Sequence, residues 1–139
     1  KEICRCFQEY MEASELSEGH LFAYLSVAAA YSNGTEWLDQ VLAYIQSNID
    51  FTDAFLSEYI PNIKMIRPQA SYLVFLDCRT LGLNQKELVD LFVDGAHLAL
   101  NDGTMFGKEG EGFMRLNVAC PRSVLEKALK QLKKACDNR

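Results

Sequence analysis

An arginine set inside a short apolar run does most to limit how this chain can fold. Phe113, Met114, Leu116, Val118 and Ala119 are bounded by glycines on one side and Pro121 on the other, which predicts a strand. Alternation along a strand then puts Arg115 on the same face as Phe113 and Asn117. A guanidinium keeps its proton, so a half-buried one needs an anion. No acidic residue lies within two positions of Arg115 on that face. The partner is therefore a carboxylate from another element, the solvent at a sheet edge, or a ligand.

The residues before this run point toward the ligand. Gly103, Gly107, Gly110 and Gly112 are half of the chain's eight glycines and fall within ten positions. They allow sharp bends and close backbone approach, as a loop that presents a binding group requires.

Elsewhere the period is helical. Ile3, Phe7, Tyr10 and Met11 mark a first helix, and Leu16 to Tyr31 a second that is apolar on nearly every side and so expects to be covered all round. Asn33-Gly34 ends it, and Thr35 is expected to cap a third helix running to Pro61, about 25 residues and about 38 Å long. The aromatic stripe Trp37, Tyr44, Phe51, Phe55 and Tyr59 along that rod is expected to be core. Ile63 to Ile66 and Tyr72 to Leu76 read as two strands separated by a turn at Pro68-Gln69-Ala70. Asn84 and Glu87 form a capping-box start for a helix ending near Gly95, and Leu98 to Leu100 is expected to be a further strand. After Pro121, the residues Val124, Leu125, Ala128, Leu129 and Leu132 are expected to form the buried face of a final helix. The order predicts an α+β fold: a small, mainly antiparallel sheet of three or four strands covered by helices and preceded by a long helix.

Charge and cysteine usage narrow the function classes. Residues 121–139 carry a net charge of +4 and the remaining 120 carry −9, for a total of −5. The C-terminal lysines suit the solvated face and the end of a helix, so neither nucleic acid nor membrane is expected as a partner. Five cysteines at scattered positions argue against a disulfide framework and show no zinc spacing, which suits reduced thiols in the cytoplasm. His97 is expected to be a surface or capping histidine, and Asp77 and Asp102 turn residues whose carboxylates bond nearby amides. A lysine start and an arginine end are what a piece cut from a longer chain would carry.

The segments Ala99-Leu100-Asn101-Asp102-Gly103-Thr104-Met105-Phe106-Gly107 and Gly110-Glu111-Gly112-Phe113-Met114-Arg115-Leu116-Asn117-Val118-Ala119-Cys120-Pro121-Arg122 carry a resemblance. They look like the C-terminal domain of class I/II pyridoxal-phosphate aminotransferases, nearest to the cystathionine β-lyase branch. Tyr31 to Trp37 and Ser71 to Asp77 extend the similarity, and Asp102 stands where that family usually has proline. The resemblance implies that Arg115 grips the α-carboxylate of an amino-acid substrate. It also implies that residues 1–34 pack on a missing large domain that binds pyridoxal 5'-phosphate, and that 35–139 are the small domain of a homodimeric transaminase or C–S β-lyase. No Schiff-base lysine, phosphate-binding turn or aspartate for a pyridine nitrogen is recognisable here. No catalytic, cofactor-binding or metal residue is therefore assigned, and the fragment alone is expected to bind no cofactor and to be inactive. The rival readings are a free-standing anion-binding module or a protein-interaction module.

Overall fold

The structure is a computed structural model that describes residues 1–16 and 19–139. It divides into two compact units, Lys1–Val41 and Leu42–Arg139.

The first unit holds α1 (Glu2–Ala13), α2 (Leu21–Asn33) and the start of α3 (Thr35–Tyr59). Ser14 and Glu15 form a turn, so the second helix begins later than its apolar pattern suggests, and residues 17 and 18 of the expected span lie outside the described residues. Neither α1 nor α2 has a buried residue. Gly34 is the single residue between α2 and α3, and a Cβ there would stand 2.4 Å from the carbonyl oxygen of Ala30. That oxygen accepts from the Gly34 amide at 2.8 Å, and Gly34's own carbonyl accepts from the amide of Leu38 at 2.9 Å. The expected cap is thus corrected: Thr35 is already helical, and the position before it needs a residue without a side chain.

The second unit is a four-stranded antiparallel sheet with helices over one face. Strands β1 (Lys64–Ile66), β2 (Leu73–Asp77), β3 (Asn101–Asp102) and β4 (Phe113–Asn117) stand in the order β1-β2-β4-β3. Val74, Leu76, Met114 and Leu116 point from β2 and β4 into a core shared with α3, α4 (Gln85–Asp90) and α5 (Arg122–Asp137). Leu56, Leu88, Phe92, Leu125, Leu129 and Leu132 fill it from the helical side. Burial of this apolar surface is the main favourable term in the fold. The opposite sheet face carries Phe75, Phe113, Arg115 and Asn117.

Two sequence expectations shift. Leu98 to Leu100 is not a strand, because the Leu98 amide donates to Phe92 O and the Leu100 amide to Leu98 O, which leaves neither for a ladder. Pairing starts three residues later than expected, at Asn101. The aromatic stripe also splits: Phe55 is buried and Phe51 half-buried, whereas Trp37, Tyr44 and Tyr59 are exposed. The Asn84–Glu87 capping box forms as expected, with both bonds at 3.0 Å, although after Asp90 the helix widens into a π turn, Leu91–Gly95.

Asn48 and Thr52 are the buried polar residues of the core. The Asn48 amide donates to Val118 O at 2.8 Å and Cys120 O at 2.9 Å, and its oxygen accepts from Arg122 Nε at 2.8 Å. One satisfied side chain thereby ties α3 to the segment leaving β4.

Candidate functional site

The sheet register decides what surrounds Arg115. Its partner on β2 is Phe75 and its partner on β3 is Asn101, so the three form a row across the outer face. Arg115 Nη2 donates to Asn101 Oδ1 at 2.9 Å. The guanidinium carbon lies 4.3 Å from the ring centre of Phe106, within cation–π range, and Phe75 meets that ring edge-on at 5.7 Å. Arg115 Nε is buried and has no partner among the described residues.

No acid pairs with this cation among the described residues. The two acids on the strands, Asp102 and Asp77, are committed elsewhere. Asp102 Oδ1 accepts from the Thr104 amide at 2.8 Å and from Gln85 Nε2 at 2.6 Å. Asp77 takes two bonds from Arg79, at 2.9 and 2.7 Å, and the Arg79 guanidinium holds its carboxyl below the ordinary aspartate range. Both aspartates are turn residues, as their spacing suggested, since each also accepts from a backbone amide two residues on.

The glycine-rich segment folds back on itself. A Cβ on Gly103 would come within 2.3 Å of Gly110 O, and one on Gly110 within 2.0 Å of Gly103 O, so the loop closes only with two bare backbones in contact. Gln85 pins both ends of the loop: beyond its bond to Asp102, its Oε1 accepts from the Gly112 amide at 2.7 Å. Phe106 ends the first turn of this loop, so the glycine contact sets where its ring meets Arg115.

Beside this row opens a hollow of about 400 Å³ lined by His97, Leu100, Asn101, Arg115, Asn117 and Cys120, among others. His97 is exposed, as expected, and has a left-handed backbone (φ 55°). Sequence reasoning singled out Arg115 but missed Asn101, Phe106, Phe75 and Gln85 as the groups around it. Asn101 and Phe106 both stand inside the motif that carries the resemblance and Phe75 lies in its extension, whereas Gln85 joins them only through helix packing.

The titrating side chains that line the hollow are His97, Arg115 and Cys120. Burial pushes the Cys78 thiol up to about 12 and raises Cys120 and Cys136 as well. All five cysteines are free. No lysine lines the hollow, and Lys86 and Lys133 pair with Asp90 and Asp137. The residues present therefore do not fit pyridoxal phosphate, which needs a lysine amine and a phosphate cradle. No group of three His, Cys, Asp or Glu gathers for a metal among the described residues. Among the described residues no helix is long and apolar enough to cross a membrane.

Comparison with known proteins supplies the context for an arginine without a cofactor site. No sequence-family profile matches the chain. It is 39% identical over 129 residues to the cystathionine β-lyase PatB of Bacillus subtilis, which covers 93% of this chain and 33% of that protein. A pyridoxal-phosphate-bound structure from Clostridium difficile 630 superposes with a TM-score of 0.87 at 38% identity, over 92% of this chain and 33% of the other. Cystalysin of Treponema denticola, solved with pyridoxal 5'-phosphate, gives 0.85 at 26% identity, over 94% and 34%. The chain thus spans about a third of the length of the curated relatives it matches, in their small C-terminal part. With its sheet order, its long leading helix and these matches, the chain belongs to the class I/II pyridoxal-phosphate-dependent aminotransferase family, in the cystathionine β-lyase branch, as the C-terminal part of that fold.

Proposed function

We propose that this chain supplies the substrate-carboxylate site of a pyridoxal-phosphate-dependent transaminase or C–S β-lyase that acts on amino acids. The observation that carries the reading is the state of Arg115. Its half-buried cation meets a neutral amide and an aromatic ring instead of an acid, and its Nε is buried without a partner among the described residues. A planar fork of this kind suits a carboxylate, which accepts two parallel charge-assisted hydrogen bonds. Each is worth about 1.5 to 3 kcal/mol, enough to fix one end of an amino acid while chemistry proceeds at the other. Cofactor binding and bond making fall to the remaining two-thirds of the enzyme, so residues 1–139 alone are inactive.

The same reading gives α2 a role. Its apolar surface has no cover within its own unit, which supports residues 1–34 packing on a cofactor-binding large domain in a homodimer. Five free thiols favour a cytoplasmic location.

Arg115→Lys in the full-length enzyme tests the assignment. A single ammonium cannot reproduce the fork, so affinity for the amino-acid substrate should fall roughly 10- to 100-fold. Pyridoxal phosphate content, read from its absorbance, should stay unchanged. Unaltered substrate affinity in this variant would remove Arg115 from the site.

A further inference from the structure

We infer that Asn101 and Phe106 are positioning residues for Arg115, and that a neutral group at position 101 keeps the guanidinium available to an incoming carboxylate. The inference rests on the carboxylate reading of Arg115 and goes beyond it to the residues that make the cation usable.

An arginine side chain has many rotamers, and ordering it is costly unless neighbours hold it beforehand. Here one neighbour comes from each direction. Asn101 on the edge strand accepts from Nη2 at 2.9 Å, and Phe106 lies 4.3 Å below the guanidinium carbon. Phe75, on the other neighbouring strand, braces Phe106 edge-on. The plane of the cation is thus fixed while its charge is left unneutralised, because an amide oxygen accepts a hydrogen bond without carrying a formal charge.

Aspartate is almost the same shape as asparagine. At position 101 it would place an anion against the guanidinium and turn a held cation into a closed ion pair. The loop keeps its own acid out of this role: Asp102, the next residue, stands opposite core-facing Met114 in the ladder, and its Oδ1 is taken by Thr104 and Gln85. Phe106 acts by a different route, since removing its ring frees the guanidinium to swing without changing any charge.

The test uses the full-length protein and measures dissociation constants for L-alanine and for L-alaninamide, which lacks the carboxylate. Arg115→Ala is the reference and should weaken L-alanine roughly 100-fold or more with little change for the amide. Asn101→Asp should lose L-alanine affinity to within about threefold of that reference, at a melting temperature equal to or above that of the parent. Phe106→Leu should reduce the preference for L-alanine over the amide roughly fivefold. Asn101→Asp binding L-alanine normally beside a defective Arg115→Ala overturns the positioning role and leaves the carboxylate reading standing. Equal weakening of both ligands by Asn101→Asp marks a structural effect and also overturns it. Normal binding by Arg115→Ala overturns the carboxylate reading and this inference with it. If Asn101→Asp does not fold, an unchanged preference in Phe106→Leu overturns the role.

Discussion

Helices α2 and α5 treat apolar residues in opposite ways. α2 is apolar on nearly all sides and has no buried residue, whereas α5 is studded with lysines and buries Leu125, Leu129, Leu132 and Ala135. The difference is pattern, not content. On α5 the apolar residues recur three and four apart, which gives one face to the sheet and leaves Lys127, Lys130 and Lys134 to solvent. On α2 they go all the way round, so no single packing face inside a small unit could cover them. The amphipathic helix completes a core within its own unit, and the uniform one has no buried residue in its own.

The sharpest way to break this comparison is to truncate one leucine on each helix. Leu129 is 1% exposed, and Leu129→Ala should cost about 2 to 5 kcal/mol, the lost transfer energy plus the cavity left behind. Leu25 is 56% exposed, and Leu25→Ala should change the stability of the 139-residue chain by no more than about 0.5 kcal/mol. Urea melts of both variants read the contrast directly. Similar losses would mean that α2 has cover within the chain after all.

The same contrast explains what the sequence discloses. Elements fixed by short-range chemistry were legible: the alternation of β4, the Asn84–Glu87 box and most of the buried face of α5, from which Val124 departs by being exposed. What depends on a layer supplied from far along the chain was not. The stripe on α3 keeps its spacing from Trp37 to Tyr59, yet buried residues begin only at Asn48, because periodicity says which residues share a face and not where a covering layer starts. Leu98 and Leu100 read as a strand, but their amides were already taken by local turns. At the site, Asn101 and Phe75 are neighbours of Arg115 only through strand register, which a single sequence does not reveal.

Asn48 sharpens the comparison inside one helix, since it stands where α3 passes from exposed to buried. Its three hydrogen bonds hold Val118, Cys120 and Arg122. Asn48→Ala strips the buried Val118 carbonyl of this partner and takes one from Arg122, so the cost should be roughly 2 to 4 kcal/mol in the same melts. Gln40, one α3 position whose side chain bonds only to Glu36 on its own helix, is the matched control. Gln40→Ala should stay within about 0.5 kcal/mol. A loss at Asn48 no larger than at Gln40 would show that the buried amide does not join helix to sheet.

The smallest effect is electrostatic and belongs to the well-packed unit alone. Asp77 is the carboxylate whose hydrogen bonds from Arg79 hold its pKa below the ordinary value of about 3.9, and its side chain is 19% exposed. For a carboxyl depressed on folding, the stabilisation is complete above the unfolded pKa and disappears as pH falls through the folded one. Stability should therefore be level with respect to this group above about pH 5 and should decline below about pH 4. Asp77→Asn removes the titration, so its stability profile should fall less steeply in that acid range while lying lower at neutral pH. On the Lys1–Val41 side, Arg5 and Glu9 form an exposed pair 3.6 Å apart, and Glu9→Gln should leave the same profile unmoved. If both variants flatten the acid limb equally, the slope comes from the net charge of the chain and not from the pair that Arg79 makes with Asp77.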